Sequence, residues 1–227
     1  MKLNSRSASS HAPPEILRWP TERSRDWTRK LVNSARAIRG VLAVVAIGSA
    51  VRPNVSSADL DLILIHSDSE PLGEKAPLEI DLRAFSAADV DAQIASGHDL
   101  LGWAVKFGGV LFQRNHYWDE LVNSWSDRLP LPSPAVARER AVCAQRRLTK
   151  VLEFGDTDAA EEQAASYLTH LARAELLDRG VYPASRPELP SQLRAIGNFQ
   201  IADWLDAVLQ NKLTGKTQID RFLKMPA

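Results

Sequence analysis

Three aspartates on two predicted strands are the residues of this chain best suited to chemistry. Asp59 and Asp61 lie in an otherwise apolar run, and Asp81 lies in a run over 78–85 that alternates apolar and charged residues from Leu78 onward. Side chains alternate faces along a strand, so Asp59 and Asp61 share one face, roughly 6.6 Å apart along the backbone. A carboxylate buried in a strand must be paired or must bind a cation. If the two strands are neighbours, Asp81 joins the pair.

Three clustered carboxylates suit a hard cation. Mg²⁺ prefers oxygen ligands and is commonly bound by carboxylates together with substrate phosphates. Two such ions, roughly 3.5–4 Å apart, can clamp both the attacking and the leaving oxygen of a phosphoryl or nucleotidyl transfer. The residue types therefore predict a site for Mg²⁺, with two ions expected and Mn²⁺ as the alternative, formed by Asp59, Asp61 and Asp81.

A small-residue turn precedes the aspartates. Residues 41–47 are apolar and largely β-branched, which predicts a buried strand. Gly48 and Ser49 follow directly, and a polar insert that contains Arg52 leads to the aspartate strand. A Gly-Ser pair alone is usually a turn, and an Asp-Leu-Asp alone is often a solvated strand edge. Their order along the chain, together with the third aspartate, favours a functional site.

This arrangement resembles the DNA polymerase β-like nucleotidyltransferase superfamily. In that family an apolar residue, a Gly, and a Gly or Ser precede an Asp-apolar-Asp motif after a short insert, and a third Asp follows on a later strand. The chain is similar to small bacterial members of the kanamycin nucleotidyltransferase and minimal nucleotidyltransferase types, which carry Gly-Ser-x-x-Arg-Gly before the aspartates. Pro53 stands here in place of the second Gly of that motif, so the insert is expected to turn differently.

The resemblance implies transfer of a nucleoside monophosphate, with AMP from ATP as the first expectation, to a hydroxyl acceptor with release of pyrophosphate. Asp59 and Asp61 would hold the metal ions that carry the triphosphate. Asp81 would complete the catalytic metal site and help to lower the pKa of the acceptor hydroxyl. Gly48 would let the backbone approach the phosphates, and Ser49 would donate its hydroxyl and N–H to them. The acceptor is expected to be an aminoglycoside-like small molecule or a protein side chain.

Three further residues are candidates for binding or catalysis. Arg52 could meet a phosphate from the turn, and Lys150 could contact the β- and γ-phosphates, as a basic residue does on similar helices of the family. A solvated basic side chain is the alternative for each. Glu175 lies beside a leucine stripe of a predicted helix, where half-burial could raise its carboxyl pKa and let it act as general base. Pairing with Arg173 or Arg179 is the alternative for Glu175.

The order of elements predicts an α+β fold. A helix capped by Thr21 precedes a small mixed β-sheet flanked by helices, and apolar residues recur at helical spacing from 135 onward. The predicted organisation is a flexible tail over 1–20, a nucleotidyltransferase domain over 21–128, a Pro-rich connector over 129–134 and an all-α helical bundle over 135–227. By resemblance, the bundle is a HEPN-like helical domain that closes over the active site and supplies part of the acceptor site. Some relatives in that group are RNases with an Arg and a His that are separated by four to six residues, and the predicted helical domain has no such pair before His170.

Composition and charge restrict the classes of function. No apolar run approaches the ~18 residues of a membrane span, and no signal-peptide pattern is found at the start of the sequence, so a cytoplasmic location is expected. One cysteine, Cys143, excludes an internal disulfide. The formal net charge is zero, with nine Lys and Arg against three Asp and Glu over 1–40 and ten acids against two bases over 59–99. The acidic segment fits divalent-cation binding, and the neutral total disfavours a polymeric nucleic-acid substrate.

Two classes of function stay open on the sequence alone. The first is a metal-dependent nucleotidyltransferase, which the presence of all three aspartates favours. The second is a catalytically inactive nucleotide sensor or interaction protein on the same fold, which would bind nucleotide without turnover. A homodimer is common in the resembled family, but no segment of the sequence has a clear interface pattern.

Overall fold

The computed structural model describes residues 18–53, 58–67 and 75–210 of the 227-residue chain. Within these ranges the chain forms four β-strands, eight α-helices and two short 3-10 turns. The combination of a mixed sheet with a helical region confirms the predicted α+β fold class. Most of the tail predicted over 1–20, and a helix that the pattern predicts over 217–224, lie outside the described residues.

The elements follow one another as the periodicity predicts. The part of the chain before the connector contains α1 (Glu22–Ala37), β1 (Val41–Ile47), a 3-10 turn (Gly48–Val51), β2 (Leu60–His66), β3 (Ile80–Ser86), α2 (Ala87–Ala95), α3 (Asp99–Phe107), β4 (Gly109–Gln113) and α4 (Tyr117–Trp125). The part after it contains α5 (Pro134–Phe154), α6 (Thr157–Asp178), a 3-10 turn (Arg186–Glu188), α7 (Leu189–Ala195) and α8 (Phe199–Leu209).

The four strands form one mixed sheet in the order β3-β2-β1-β4. β1 runs antiparallel to both β2 and β4, whereas β2 runs parallel to β3. The continuous apolar runs of β1 and β2 explain why these strands are central, since a strand covered on both faces needs apolar residues at successive positions. The fully buried side chains of the two strands include Val44, Val45, Ala46, Leu62, Ile63, Leu64 and Ile65.

The edge strand β3 begins later than its sequence pattern predicts. The alternation predicts a strand from Leu78 with that side chain in the core, but Leu78 lies in a turn and is fully exposed. The N–H of Ile80 donates to the carbonyl of Pro77 at 3.0 Å, which closes this turn. Of the predicted apolar face, Ile80 is buried, Leu82 is partly buried and Ala84 is exposed. Apolar alternation alone cannot tell a half-covered edge strand from a buried one.

Helix α1 begins with a reciprocal cap, as the sequence predicts for Thr21. The N–H of Ser24 donates to Thr21 Oγ1 at 3.0 Å, and the N–H of Thr21 donates to Ser24 Oγ at 3.1 Å. The Thr21 hydroxyl also donates to Glu79 Oε1 at 2.8 Å, next to the start of β3. The apolar face of α1, which includes Leu31 and Ala35, packs with β1 and β2 in one core. The cap therefore fixes the first helix against the edge of the sheet that carries Asp81.

Arg114, directly after β4, closes the other end of α1. Its guanidinium donates to the carbonyls of Ala35, Arg36, Ile38 and Val41, at 3.1 to 3.2 Å. The last carbonyls of a helix have no intrahelical donor. We expect Arg114→Ala to lower the free energy of unfolding by roughly 2–3 kcal/mol, because partly buried carbonyls lose charge-assisted hydrogen bonds. Urea denaturation checks this, with the exposed Arg39→Ala as control. An equal, small effect of both variants would contradict the assignment.

The chain divides into two compact units. The first comprises the part up to Val90 and Ala104–Trp125, and the second comprises Asp91–Trp103 and the part from Ser126 on. Residues 91–103 thus group with the helical part of the chain. The domain boundary predicted at 129–134 and the HEPN-like character of the bundle stay predictions.

The second unit is built on the antiparallel neighbours α5 and α6. Helix α5 begins with Pro134 in its first turn and ends at Gly155, whose φ of 75° is the left-handed conformation that glycine adopts readily. Asp156 then caps α6, because its carboxylate accepts from the N–H of Ala159 at 3.0 Å. The buried core of this unit includes Leu148, Tyr167, Leu168, Leu193 and Leu205.

No α-helix in the described ranges combines the length and the apolar character that crossing a membrane requires.

Candidate active site

The turn after β1 brings Gly48 against Asp61. In the antiparallel pair of β1 and β2, Ile47 lies opposite Asp61, so the residue after Ile47 leaves the sheet beside the aspartate. Gly48 has a φ of 75° and starts the 3-10 turn Gly48–Val51. The turn closes where the N–H of Arg52 donates to the carbonyl of Ser49 at 3.1 Å. The glycine turn and the aspartate strand, which are separate in sequence, therefore meet at one end of the sheet.

A side chain at position 48 has no room. A Cβ built on Gly48 would lie 2.6 Å from Asp61 Oδ2, closer than such atoms approach in folded proteins. The role expected for Gly48 from the sequence is to let the backbone approach phosphates. The structure adds a second reason, which is that the carboxylate of Asp61 occupies the space where a side chain would stand. Gly48 is thus also required for the position of Asp61.

Asp61 and Asp81 are neighbours across two parallel strands. They are register partners in the pair of β2 and β3, and adjacent strands lie roughly 4.8 Å apart with paired side chains on the same face. Asp59 lies two residues before Asp61, just outside β2, and is exposed. The N–H of Leu60 donates to the carbonyl of Glu79 at 2.8 Å, which fixes the starts of the two strands together. The structure therefore places the three predicted aspartates at one end of the sheet.

The charges of these aspartates act on one another. Burial first, and then the negative charges of Asp59 and Asp81, raise the pKa of Asp61 to about 6, while Arg83 has a smaller opposite effect. A carboxyl group whose ionised form is disfavoured in this way is stabilised by a nearby positive charge. The site is therefore electrostatically prepared for a cation.

Arg83 supplies a positive charge that sequence reasoning did not assign. Its Nη2 and Nε donate to Asp81 Oδ2 at 2.8 Å and 3.1 Å. The pattern contains the signal, because residues two apart on a strand share a face and Arg83 follows Asp81 at that spacing. Over the residues that the structure describes, no three His, Cys, Asp or Glu side chains form a set that could hold a metal ion. Asp81 is thus directed to Arg83 here and not to the other two aspartates.

Two cations lie at one aromatic ring of the first unit. The guanidinium of Arg52 lies 4.7 Å from the centroid of the Phe107 ring, and Lys106 Nζ lies 5.9 Å from it. Arg52 was a candidate from the sequence. Lys106 was missed because it lies in the last turn of α3, far from Arg52 in sequence. Stacking on an aromatic face holds a guanidinium in place without neutralising its charge.

Glu175 and Lys150 lie in the second unit. Glu175 is half-buried on α6, and Asn198 Nδ2 donates to its Oε2 at 3.4 Å. This partner is neither of the two arginines that the sequence suggested. Lys150 is exposed near the end of α5. The roles of Glu175 as general base and Lys150 as phosphate ligand stay predictions.

Asp61→Asn should stabilise the metal-free protein above about pH 7. The pKa of Asp61 is higher in the folded chain than its ordinary value, so the folded state binds the proton more tightly and wild-type stability falls as pH rises through 4 to 6. Asparagine removes the buried charge, and we expect roughly 2 kcal/mol of stabilisation at neutral pH that disappears below about pH 4. Urea denaturation of the wild type and the variant in EDTA, at neutral pH and below about pH 4, checks this difference in stability. A difference in unfolding free energy that does not change with pH would contradict its assignment to the buried charge of Asp61.

Comparisons with known proteins give a distant structural likeness. No protein-family model matches the chain. No curated protein matches it either. Among solved structures, the chain is similar to the crystal structure of a nucleotidyltransferase-like protein from Exiguobacterium sibiricum 255-15, with 18% sequence identity and a TM-score of 0.39 over 86% of this chain and 70% of that chain. The geometry of the aspartates described above is independent of this likeness.

Proposed function

We propose that the protein is a metal-dependent nucleotidyltransferase that transfers a nucleoside monophosphate, with AMP as the first candidate, from an NTP to a hydroxyl acceptor. The observation that carries this proposal is the meeting of the Gly48 turn with Asp61, which is in register with Asp81. Backbone N–H groups of a glycine turn can bind a triphosphate, and neighbouring carboxylates can bind the cations that accompany it.

The three aspartates fit a Mg²⁺ site by their chemistry. Carboxylate oxygens are the ligands this ion prefers. The raised pKa of Asp61 reflects burial first and then the negative charges of Asp59 and Asp81, and a cation would offset both effects. When bound, Mg²⁺ or Mn²⁺ would neutralise the triphosphate and polarise the reacting oxygens. Asp59 and Asp61 would hold the ions with the nucleotide, and Asp81 would complete the set once Arg83 releases its carboxylate.

The other residues act on the phosphates and the acceptor. Gly48 and Ser49 would offer N–H and hydroxyl donors to the triphosphate, and Arg52 would contribute charge, as would Lys150. In the reaction, the acceptor oxygen forms a bond to the α-phosphorus while the bond from that phosphorus to the bridging oxygen breaks. Pyrophosphate leaves with the electron pair, and the hydroxyl proton passes to a carboxylate base, for which Glu175 is the candidate.

A hydroxylated small molecule of aminoglycoside type is the first class of acceptor, since the same chain also carries a helical unit. A hydroxyl-bearing side chain of a protein is the second class. Both acceptors undergo the same bond changes at the α-phosphorus, so the identity of the labelled product distinguishes them.

One observation favours a non-catalytic nucleotide-binding protein as the second candidate. Arg83 already satisfies Asp81 in this structure, and an internal guanidinium can replace a metal ion as the counter-charge of a carboxylate. A protein of this kind would bind nucleotide and produce no pyrophosphate. The two candidates therefore differ in turnover and not in binding.

The test is transfer from α-³²P-labelled NTPs, with Mg²⁺ or with EDTA, to a panel of aminoglycosides and to proteins of a bacterial lysate. Label on an acceptor together with acceptor-dependent pyrophosphate, seen only with the metal, supports the enzyme. Asp89→Asn, which changes an exposed acid on α2, serves as the matched control and should retain transfer. Nucleotide binding without label on any acceptor would favour the second candidate.

A further inference from the structure

The charges of three arginines act on one histidine in the second unit. Arg140 lies on α5, Arg173 and His170 lie on α6, and Arg186 begins the 3-10 turn Arg186–Glu188. His170 and Arg173 are three residues apart, so they share one face of their helix. The charges of Arg173, Arg140 and Arg186 all act on His170, and those of Arg186 and Arg140 also act on Arg173. The opposite charge of Asp99 acts on both His170 and Arg173. Three elements thus place arginines within electrostatic range of His170, and we call Arg140, Arg173 and Arg186, together with His170, the arginine cluster.

Carboxylates balance this charge incompletely. Arg140 forms an ion pair with Asp99, and Arg186 lies 3.8 Å from Glu162 in a solvent-exposed pair. Arg173 is partly buried, and among the described residues it has no ion pair. Like charges that are drawn together out of water repel one another, and a buried charge requires a partner. The arginine cluster therefore has a surplus of positive charge that an anion would neutralise.

Neutral hydrogen-bonding groups adjoin the surplus charge. His170 Nδ1 is buried and has no hydrogen-bond partner within the described part of the chain. Burial first, and then the neighbouring guanidinium charges, lower the pKa of His170 to about 4, so the ring is neutral at physiological pH. Its orphaned nitrogen could donate to a ligand oxygen in one tautomer.

Tyr182 provides a second neutral group. Its hydroxyl lies against Gly102 of α3, where a Cβ would collide with it. Burial and the charge of Asp99 raise the pKa of Tyr182, so the hydroxyl keeps its proton. Gly102 thus leaves the space that admits this hydroxyl near Asp99, the partner of Arg140.

We propose that the arginine cluster, with Arg173 at its centre, is a binding site for the phosphate group of a small molecule, either a monoester or a polyphosphate. Guanidinium groups bind phosphate oxygens in pairs and with charge assistance. A phosphate dianion matches the charge of such a site. The site has the guanidinium of Arg173, which has no ion pair among the described residues, the guanidinium groups of Arg140 and Arg186, which are shared with carboxylates, and the neutral imidazole of His170. The site belongs to the second unit alone and does not depend on the transferase activity proposed above.

Calorimetric titration with inorganic phosphate and with pyrophosphate tests the site. The buffer contains EDTA and a constant concentration of KCl, so that neither metal ions nor ionic strength contributes to a difference. We expect Arg173→Gln to weaken the Kd for both ligands roughly tenfold or more, since it removes a charge-assisted contact. Arg138→Gln is the matched control, because Arg138 lies on the same helix as Arg140 and is paired with Asp178.

Further variants separate this site from the nucleotide site and from misfolding. A chain with Asp59→Asn and Asp61→Asn should bind phosphate as wild type does, whether or not the proposed transferase activity exists. If Arg173→Gln does not fold, as judged by circular dichroism, Arg186→Gln replaces it with the same expectation. Equal affinities of the arginine-cluster variant and Arg138→Gln, or no saturable binding of either ligand by the wild type, would overturn the site.

Discussion

Nucleotide transfer should fall by about a thousandfold or more when Asp59 and Asp61 are both replaced by asparagine. The substitution keeps the size of both side chains and removes two of the negative charges that would hold the cations. Asp81 should keep its hydrogen bonds from Arg83 in the variant. The expected outcome is a stable, folded protein that releases no measurable acceptor-dependent pyrophosphate.

The control for this result is a change of charge away from the sheet end. Asp89→Asn alters the net charge of the first unit by one and touches an exposed side chain of α2. It should keep transfer within about twofold of the wild type, as surface substitutions usually have small effects. Near-normal transfer by the double aspartate variant would contradict the assignment of both residues.

Gly48→Ala should lower the free energy of unfolding by roughly 2–4 kcal/mol. Two effects combine at this position. The added Cβ would lie 2.6 Å from Asp61 Oδ2, so the carboxylate or the turn must move, and the φ of 75° disfavours any residue with a Cβ. Urea denaturation in EDTA measures the loss. The same variant should lose nucleotide transfer, since Asp61 is displaced.

Two controls separate the collision from the backbone effect. Gly155 has the same φ of 75° with nothing within 4 Å of a built Cβ, so Gly155→Ala should cost only about 1 kcal/mol. In a chain with Asp61→Ala, which lacks the Oδ2 atom, the loss of unfolding free energy caused by Gly48→Ala should fall to a similar value. If Gly48→Ala and Gly155→Ala are equally destabilising in the wild-type background, the contact with Asp61 is not what requires the glycine.

The elements of the fold could be predicted because their signals are local. The apolar runs of β1 and β2, the cap at Thr21 and the left-handed Gly155 each depend on neighbouring residues, and the structure has all of them. The start of β3 could not be predicted. Leu78 fits the alternation, and its exposure follows from the turn closed by Pro77 and from the edge position of the strand.

The candidate site was partly predictable for the same reason. The spacing of Asp59 and Asp61 and the turn at Gly48 are features of sequence, whereas the pairing of Asp61 with Asp81 depends on strand order and register. The spacing of Asp81 and Arg83 allows their side chains to meet, but whether they do so depends on the side-chain conformations, which the sequence does not give. Lys106 reaches the ring beside Arg52 only through tertiary packing.

The most direct measurement is the thermal unfolding of the wild type and of the Asp59→Asn, Asp61→Asn variant with ATP, GTP, CTP or UTP, each with and without Mg²⁺. A ligand that binds only the folded state raises Tm by mass action. We predict a Mg²⁺-dependent rise of the wild-type Tm with at least one nucleotide, largest with ATP, and no such rise for the variant. A wild-type Tm that no nucleotide changes, or an equal rise in the variant, would contradict a metal–nucleotide site at these aspartates.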